Sequence, residues 1–213
     1  MSAGLFQIQT EGATKAKPTV NDSKATGRSK DTNLPLQGKT IVLDPGHGGK
    51  DVGSTGGNGT FEKDVTLRTA LNVRKKLVQQ GANVVMTRDA DTTISLGART
   101  AVAQTENADL FISIHFDAFQ TSDVYGMTMF YNKPQDEGIA QKLHDQIFKS
   151  DMNTKDRGVR FGDYHVIREN TKPAVLLELG YISNKNEEAR MQTDAFQEQI
   201  STAIASGVEN SLR

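Results

Sequence analysis

Two of the chain's four histidines close runs of apolar residues: His47 ends Ile41-Val42-Leu43-Asp44-Pro45-Gly46-His47, and His115 ends Leu110-Phe111-Ile112-Ser113-Ile114-His115. A third apolar run, Ala174-Val175-Leu176-Leu177-Glu178-Leu179, carries a carboxylate. An ionisable group in such a run is costly to bury unless it is paired or bound to a metal. Glu62 opens a helical pattern just after a glycine-rich stretch and is a fourth candidate. The chain has no cysteine, so any metal must be held by imidazoles and carboxylates. Two neutral imidazoles and one carboxylate make a zinc site with an open coordination position, which makes water a usable nucleophile near neutral pH. A second carboxylate can then take the proton from that water. Each residue also has a plain structural reading: His47 as a loop residue, His115 as a hydrogen-bonded core histidine, Glu62 as an acidic group favoured by a helix N-terminus, and Glu178 as half of a salt bridge.

The elements around these residues explain how they could meet. Thr40 to Leu43 is a short strand stopped by Asp44-Pro45-Gly46. Glycines at 46, 48, 49, 53, 56, 57 and 59 form a long loop. It is no phosphate cradle, because no Lys-Ser or Lys-Thr follows to open a helix. Glu62 to Gln80 has helical spacing at Leu67, Ala70, Leu71, Leu77 and Val78, with Gly81 as its stop. Ala82 to Thr87 reads as a strand, and Ser95 as the N-cap of a helix to about Gln104. Asp109 to His115 reads as a strand buried on both faces, Gly126 to Tyr131 as another, and Pro134 to Lys149 as a helix with Ile139, Ala140, Leu143 and Ile147 on one face. His165 to Arg168 is expected as a short strand and Pro173 to Leu179 as a buried one. The last helix runs from about Asp194, striped by Phe196, Ile200, Ala203, Ile204 and Val208. Strands alternating with helices predict an α/β fold, a twisted, mostly parallel central sheet with helices on both faces. In such sheets ligands sit outside the carboxyl ends of the strands, where His47, His115 and Glu178 would arrive from three separate strands.

At 213 residues and 36% hydrophobic content the chain can bury one core. A net charge of −1, without a local basic patch, argues against nucleic acid as a partner. No run of eighteen apolar residues marks a membrane span, and Met1 to Gln7 lacks the pattern of a secretory signal. Residues 1–36 show no hydrophobic period and read as a linker or the remnant of an upstream region, with a disordered tail as the alternative; residues 37–213 form the expected domain.

Four stretches in order, Ile41 to Gly49, Glu62-Lys63-Asp64, Ser113-Ile114-His115 and Pro173 to Asn184, resemble the zinc-dependent N-acetylmuramoyl-L-alanine amidases, and the likeness covers Lys39 to Leu212. The resemblance implies one zinc ion held by His47, Glu62 and His115, with Glu178 as the catalytic carboxylate. It implies hydrolysis of the amide between N-acetylmuramic acid and the L-alanine of the peptidoglycan stem peptide, in a secreted cell-wall hydrolase or autolysin, with a phage lysin as the other setting. An upstream wall-binding domain or an activator protein would be its partner besides peptidoglycan. Asp117, two residues past the second histidine, stands where the family often has asparagine. With His165, Arg168 and Asn170 it is a candidate for substrate contact, an arginine fork suiting carboxylates. Some family members carry a long helical insertion after the second histidine that blocks the site; only about ten residues separate His115 from the next strand, so no such plug is expected. A zinc carboxypeptidase-like peptidase and a non-catalytic wall-binding module are the competing readings.

Overall fold

The computed structural model describes residues 34–213. The linker expected over residues 1–36 lies almost wholly outside them. Six strands form one sheet in the order β2-β1-β3-β6-β4-β5: β1 (Thr40–Pro45), β2 (Asn83–Met86), β3 (Leu110–Asp117), β4 (Met127–Tyr131), β5 (Asp156–Phe161) and β6 (Ala174–Tyr181). Every neighbouring pair is parallel except β4 with β6. The expected mostly parallel α/β sheet is therefore present.

Helices cover both faces. Successive side chains of a strand point to opposite faces, so Ile41 and Leu43 of β1 join one core while Val42 joins the other. The larger core is closed by α1 (Glu62–Gln79), α3 (Glu137–Ile147) and α6 (Asp194–Leu212), through residues such as Val73, Leu77, Leu143, Ile147, Phe196, Ile200 and Ile204. The smaller joins Val42, Phe111 and Leu176 to Ala103 of α2 (Leu96–Thr105) and to Val166 and Ile167 of α4 (His165–Arg168). A sixth helix, α5 (Lys185–Met191), follows β6. Leu36 is fully buried in the larger core, and its amide donates to the Gln80 carbonyl at 2.9 Å.

Some elements differ from expectation. His165–Arg168 is one helical turn and not a strand: Val166 and Ile167 are both buried in the same cluster, which adjacent strand positions facing opposite ways would not allow. The helix expected from Pro134 begins as a 3-10 turn, Pro134–Asp136, before α3. The buried side of α1 is rotated, with Val65, Ala70, Val73 and Leu77 inside and Val78 52% exposed. The Ser95 cap is present, its side chain accepting from the Ala98 amide at 3.3 Å.

From β1 the chain passes through α1 to β2 on one side, then returns through α2 to β3 on the other side of β1. The carboxyl ends of β1 and β3 thus flank the place where strand order reverses, where such sheets open a crevice.

Candidate active site

Pro45 is the last residue of β1, and the Gly46 amide still donates to the Ile114 carbonyl of β3 at 3.0 Å. The chain then turns sharply, because His47 adopts φ +61. That left-handed conformation costs a non-glycine residue on the order of 1–3 kcal/mol unless its surroundings hold it. Two buried guanidiniums do so. Arg99 of α2 donates to the carbonyls of Pro45 (2.8 Å) and His47 (2.7 Å) and pairs with Asp44 at 2.7 Å. Arg88 donates to the carbonyls of Pro45 (3.1 Å) and Gly46 (2.7 Å). Carbonyls that leave the ladder where β1 ends thus find partners, as buried backbone groups must. The Asp44 carboxylate, wholly buried, also accepts from Thr87 Oγ1 at 2.6 Å and Ser113 Oγ at 2.8 Å.

Two glycines make room for the side chains that meet here. A Cβ on Gly46 would lie 2.2 Å from His115 Cε1, and one on Gly53 would lie 2.6 Å from His47 Cδ2 and 2.7 Å from Glu62 Oε2. The glycine loop is tied to α5 by Glu188, whose buried carboxylate accepts from the Asn58 amide at 3.0 Å and the Thr60 amide at 3.3 Å. It delivers Glu62 to the first turn of α1, where the carboxylate accepts from the amides of Ser54 (2.9 Å) and Phe116 (3.2 Å).

Glu62 Oε1 lies 3.1 Å from His47 Nε2 and 2.9 Å from His115 Nδ1. The two rings stand edge to face, 5.0 Å between centroids. These three residues offer ligand atoms all within 4.8 Å of one another. Burial opposes ionisation of Glu62, but hydrogen bonds from His115 and His47 outweigh it and hold the carboxyl well below its usual range. Burial likewise opposes a proton on His47, yet Glu62 and then Asp51 raise its pKa.

Glu178 pairs in register with His115 on the adjacent parallel strand. It is 7% exposed, and its Oε2 has no hydrogen-bond partner. Burial above all, then the charges of Asp117 and Glu62, pushes its pKa well above the ordinary value. Glu178 and the His47, Glu62 and His115 cluster open on one cavity of about 700 Å³. Its other walls include Ile94, Leu96, Tyr164, His165, Val166 and Asp117. The Tyr164 phenol is pushed up to about 12 by burial and by the charges of Glu178 and Asp117.

Of the substrate-contact candidates, Asp117 and His165 line this cavity. Arg168 does not; exposed, it pairs with Asp163 and Glu169 at 2.8 Å each. Asn170 is buried in the turn after α4, donating to the Val166 carbonyl at 3.2 Å and accepting from the Lys172 amide at 3.1 Å. Sequence reasoning passed over Arg99, Asp44 and Glu188. Asp44 carried a readable signal, an acid at the end of a buried strand; Arg99 and Glu188 lie in helices where charged residues are ordinary.

The family model described as N-acetylmuramoyl-L-alanine amidase matches residues 41–210. YrvJ of Bacillus subtilis strain 168 is 43% identical over 206 residues, which are 96% of this chain and 38% of YrvJ. The chain thus spans well under half the length of that relative. Among solved structures, the catalytic domain of CwlV, an N-acetylmuramoyl-L-alanine amidase from Bacillus (Paenibacillus) polymyxa var. colistinus, is 39% identical with a TM-score of 0.79, covering 82% of this chain and 98% of that domain's chain. The N-acetylmuramoyl-L-alanine amidase AmiC2 of Nostoc punctiforme is 35% identical, also at 0.79, covering 82% and 97%.

Proposed function

The chain belongs to the N-acetylmuramoyl-L-alanine amidase family, and on that premise we propose that residues 37–213 are a zinc-dependent catalytic domain acting on peptidoglycan. It hydrolyses the amide between the lactyl group of N-acetylmuramic acid and the L-alanine of the stem peptide. The single observation that carries this reading is the convergence of His47, Glu62, His115 and Glu178 on one cavity.

The donor set suits zinc: two imidazole nitrogens and one carboxylate oxygen, close together, with two glycines leaving the space a side chain would fill. His47, Glu62 and His115 would hold one ion, which when bound supplies Lewis acidity toward the scissile carbonyl. Glu178 does the proton work. Glu178 lines the cavity and, as the carboxylate, takes a proton from the attacking water as the new C–O bond forms at the lactyl carbonyl carbon. The same proton then passes to the alanine nitrogen as the C–N bond breaks, leaving a free amine and a lactyl carboxylic acid, which gives up its own proton to solvent. A buried carboxyl with a raised pKa holds that proton between the two events. Asp117, His165 and the Ile94, Leu96 and Tyr164 wall are the groups placed to meet the substrate.

Such a domain works outside the cell membrane, as a secreted wall hydrolase or as a lysin, with any wall-binding domain or activator supplied from outside residues 37–213. No helix among the described residues is long and apolar enough to cross a membrane. Digestion of purified peptidoglycan with and without a chelator, followed by mass spectrometry, tests the reading. Free stem peptides beginning with L-alanine that vanish with the chelator are expected. Shortened peptides still joined to the sugar would favour the carboxypeptidase-like alternative.

A further inference from the structure

Resting on the zinc reading above, we propose that Asp51 is a positioning residue for the metal centre: its carboxylate fixes the tautomer and tilt of His47 so that Nε2 faces Glu62. Asp51 Oδ2 lies 2.9 Å from His47 Nδ1, one helical turn's spacing along the chain but within a loop. A neutral imidazole that offers one nitrogen to a metal must carry its proton on the other. With Asp51 accepting from Nδ1–H, the lone pair is left on Nε2, the atom 3.1 Å from Glu62 Oε1.

Asp51 is itself held in place. Its other oxygen accepts from the Gly53 amide at 3.1 Å. Its backbone exchanges a pair of hydrogen bonds with Gly48, the Gly48 amide donating at 2.8 Å and the Asp51 amide at 3.2 Å. The turn from His47 to Gly53 is therefore a closed bracket, with the imidazole inside and the carboxylate across its mouth. Gly53 completes it, since a Cβ there would collide with both the His47 ring and Glu62.

The two imidazoles are held differently. The His115 ring rests on the backbone at Gly46, which leaves no room for a Cβ. His47 is on a loop with its side chain 24% exposed, so removing its carboxylate partner frees the ring to turn toward solvent. His47 is the imidazole whose ring nitrogen bonds a carboxylate outside the ligand set. Outer partners of this kind are worth about 10- to 100-fold in metal affinity.

The Asp51 side chain is 59% exposed, so Asp51→Ala and Asp51→Asn leave the core untouched. The full chain and both variants would be stripped of metal, checked for fold by circular dichroism, and titrated with zinc against a chromophoric chelator and with cobalt by visible absorption. Asp51→Ala is expected to bind zinc about 10- to 100-fold more weakly, with an altered cobalt spectrum. Asp51→Asn, whose amide oxygen accepts the same hydrogen bond without the charge, falls between. Turnover of Asp51→Ala recovers when zinc is saturating. Unchanged zinc affinity and cobalt spectrum in Asp51→Ala, with the parent chain binding zinc, would overturn the proposal alone. So would an effect confined to KM, which would make Asp51 a substrate contact. A parent chain that takes up no zinc would overturn the zinc reading as well.

Discussion

Burial favours the neutral form of a carboxyl and so do neighbouring negative charges, and Glu178 is both buried and flanked by Asp117 and Glu62, which raises its pKa. Glu62 has the opposite setting, hydrogen-bonded to two imidazoles, and stays ionised. Two carboxylates pushed apart in this way divide the labour between proton carrier and ligand. Glu178→Gln keeps the shape and removes the proton transfer, so turnover should fall about 10²- to 10⁴-fold while zinc affinity, measured by chelator competition, is unchanged. Loss of metal from that variant would mean that ligand and base had been exchanged. At this scale the sequence was most informative where burial conflicts with charge: an acid inside Val-Leu-Leu-Glu-Leu stands out. Arg168 and Asn170 carried no such conflict, and the structure uses them for surface pairs and for closing a turn. Their chemistry suited a ligand, but no sequence pattern determined which way they face.

Elements position the site through groups that never touch a substrate. Arg99 reaches from α2 to Asp44 and to the carbonyls that hold His47 in its left-handed conformation. Arg99→Met leaves a buried carboxylate without its counter-charge and should destabilise the domain by about 3–5 kcal/mol in urea unfolding, with weaker zinc binding in what remains folded. A second cross-element tie lies far from the cavity, where His144 of α3 meets Asp156 of β5 at 2.8 Å and Asp145 at 3.1 Å. Burial works against a proton on His144, but Asp156 and Asp145 prevail and raise its pKa. A histidine raised on folding lends stability in full below its ordinary value of 6.5 and loses it as pH climbs through the folded value. Thermal midpoints of the parent and His144→Gln should therefore differ most near pH 5.5 and converge at alkaline pH; a gap constant with pH would contradict this. Five of the six strands were legible: β1, β3 and β6 by their buried apolar runs, and β2 and β4 by shorter apolar stretches. β5, Asp-Arg-Gly-Val-Arg-Phe, is a largely exposed edge strand whose polar run gives no period, and α5 is seven mostly charged residues. His-Val-Ile-Arg is too short for periodicity to separate a strand from one helical turn.

The molecule as a whole was readable because alternating strands and helices leave few arrangements, and the reversal of strand order at β1 and β3 follows from that connectivity. The start of the packed region was harder to read. Leu36 follows a polar stretch with no period, yet it is fully buried. A chain starting at Asn33 should keep turnover, whereas one starting at Gln37 loses the Leu36 side chain from the core and should unfold about 2–5 kcal/mol more easily in urea. Equal stability of the two would show that Leu36 adds nothing. The bond that is cut defines the activity. Amide hydrolysis creates one new α-amino group, so the decisive measurement is amine labelling of digested peptidoglycan, with identification of the labelled residue. L-alanine as the new amino terminus, appearing with zinc and not with chelator, is the predicted result; a different labelled residue, with the lactyl amide intact, would contradict it.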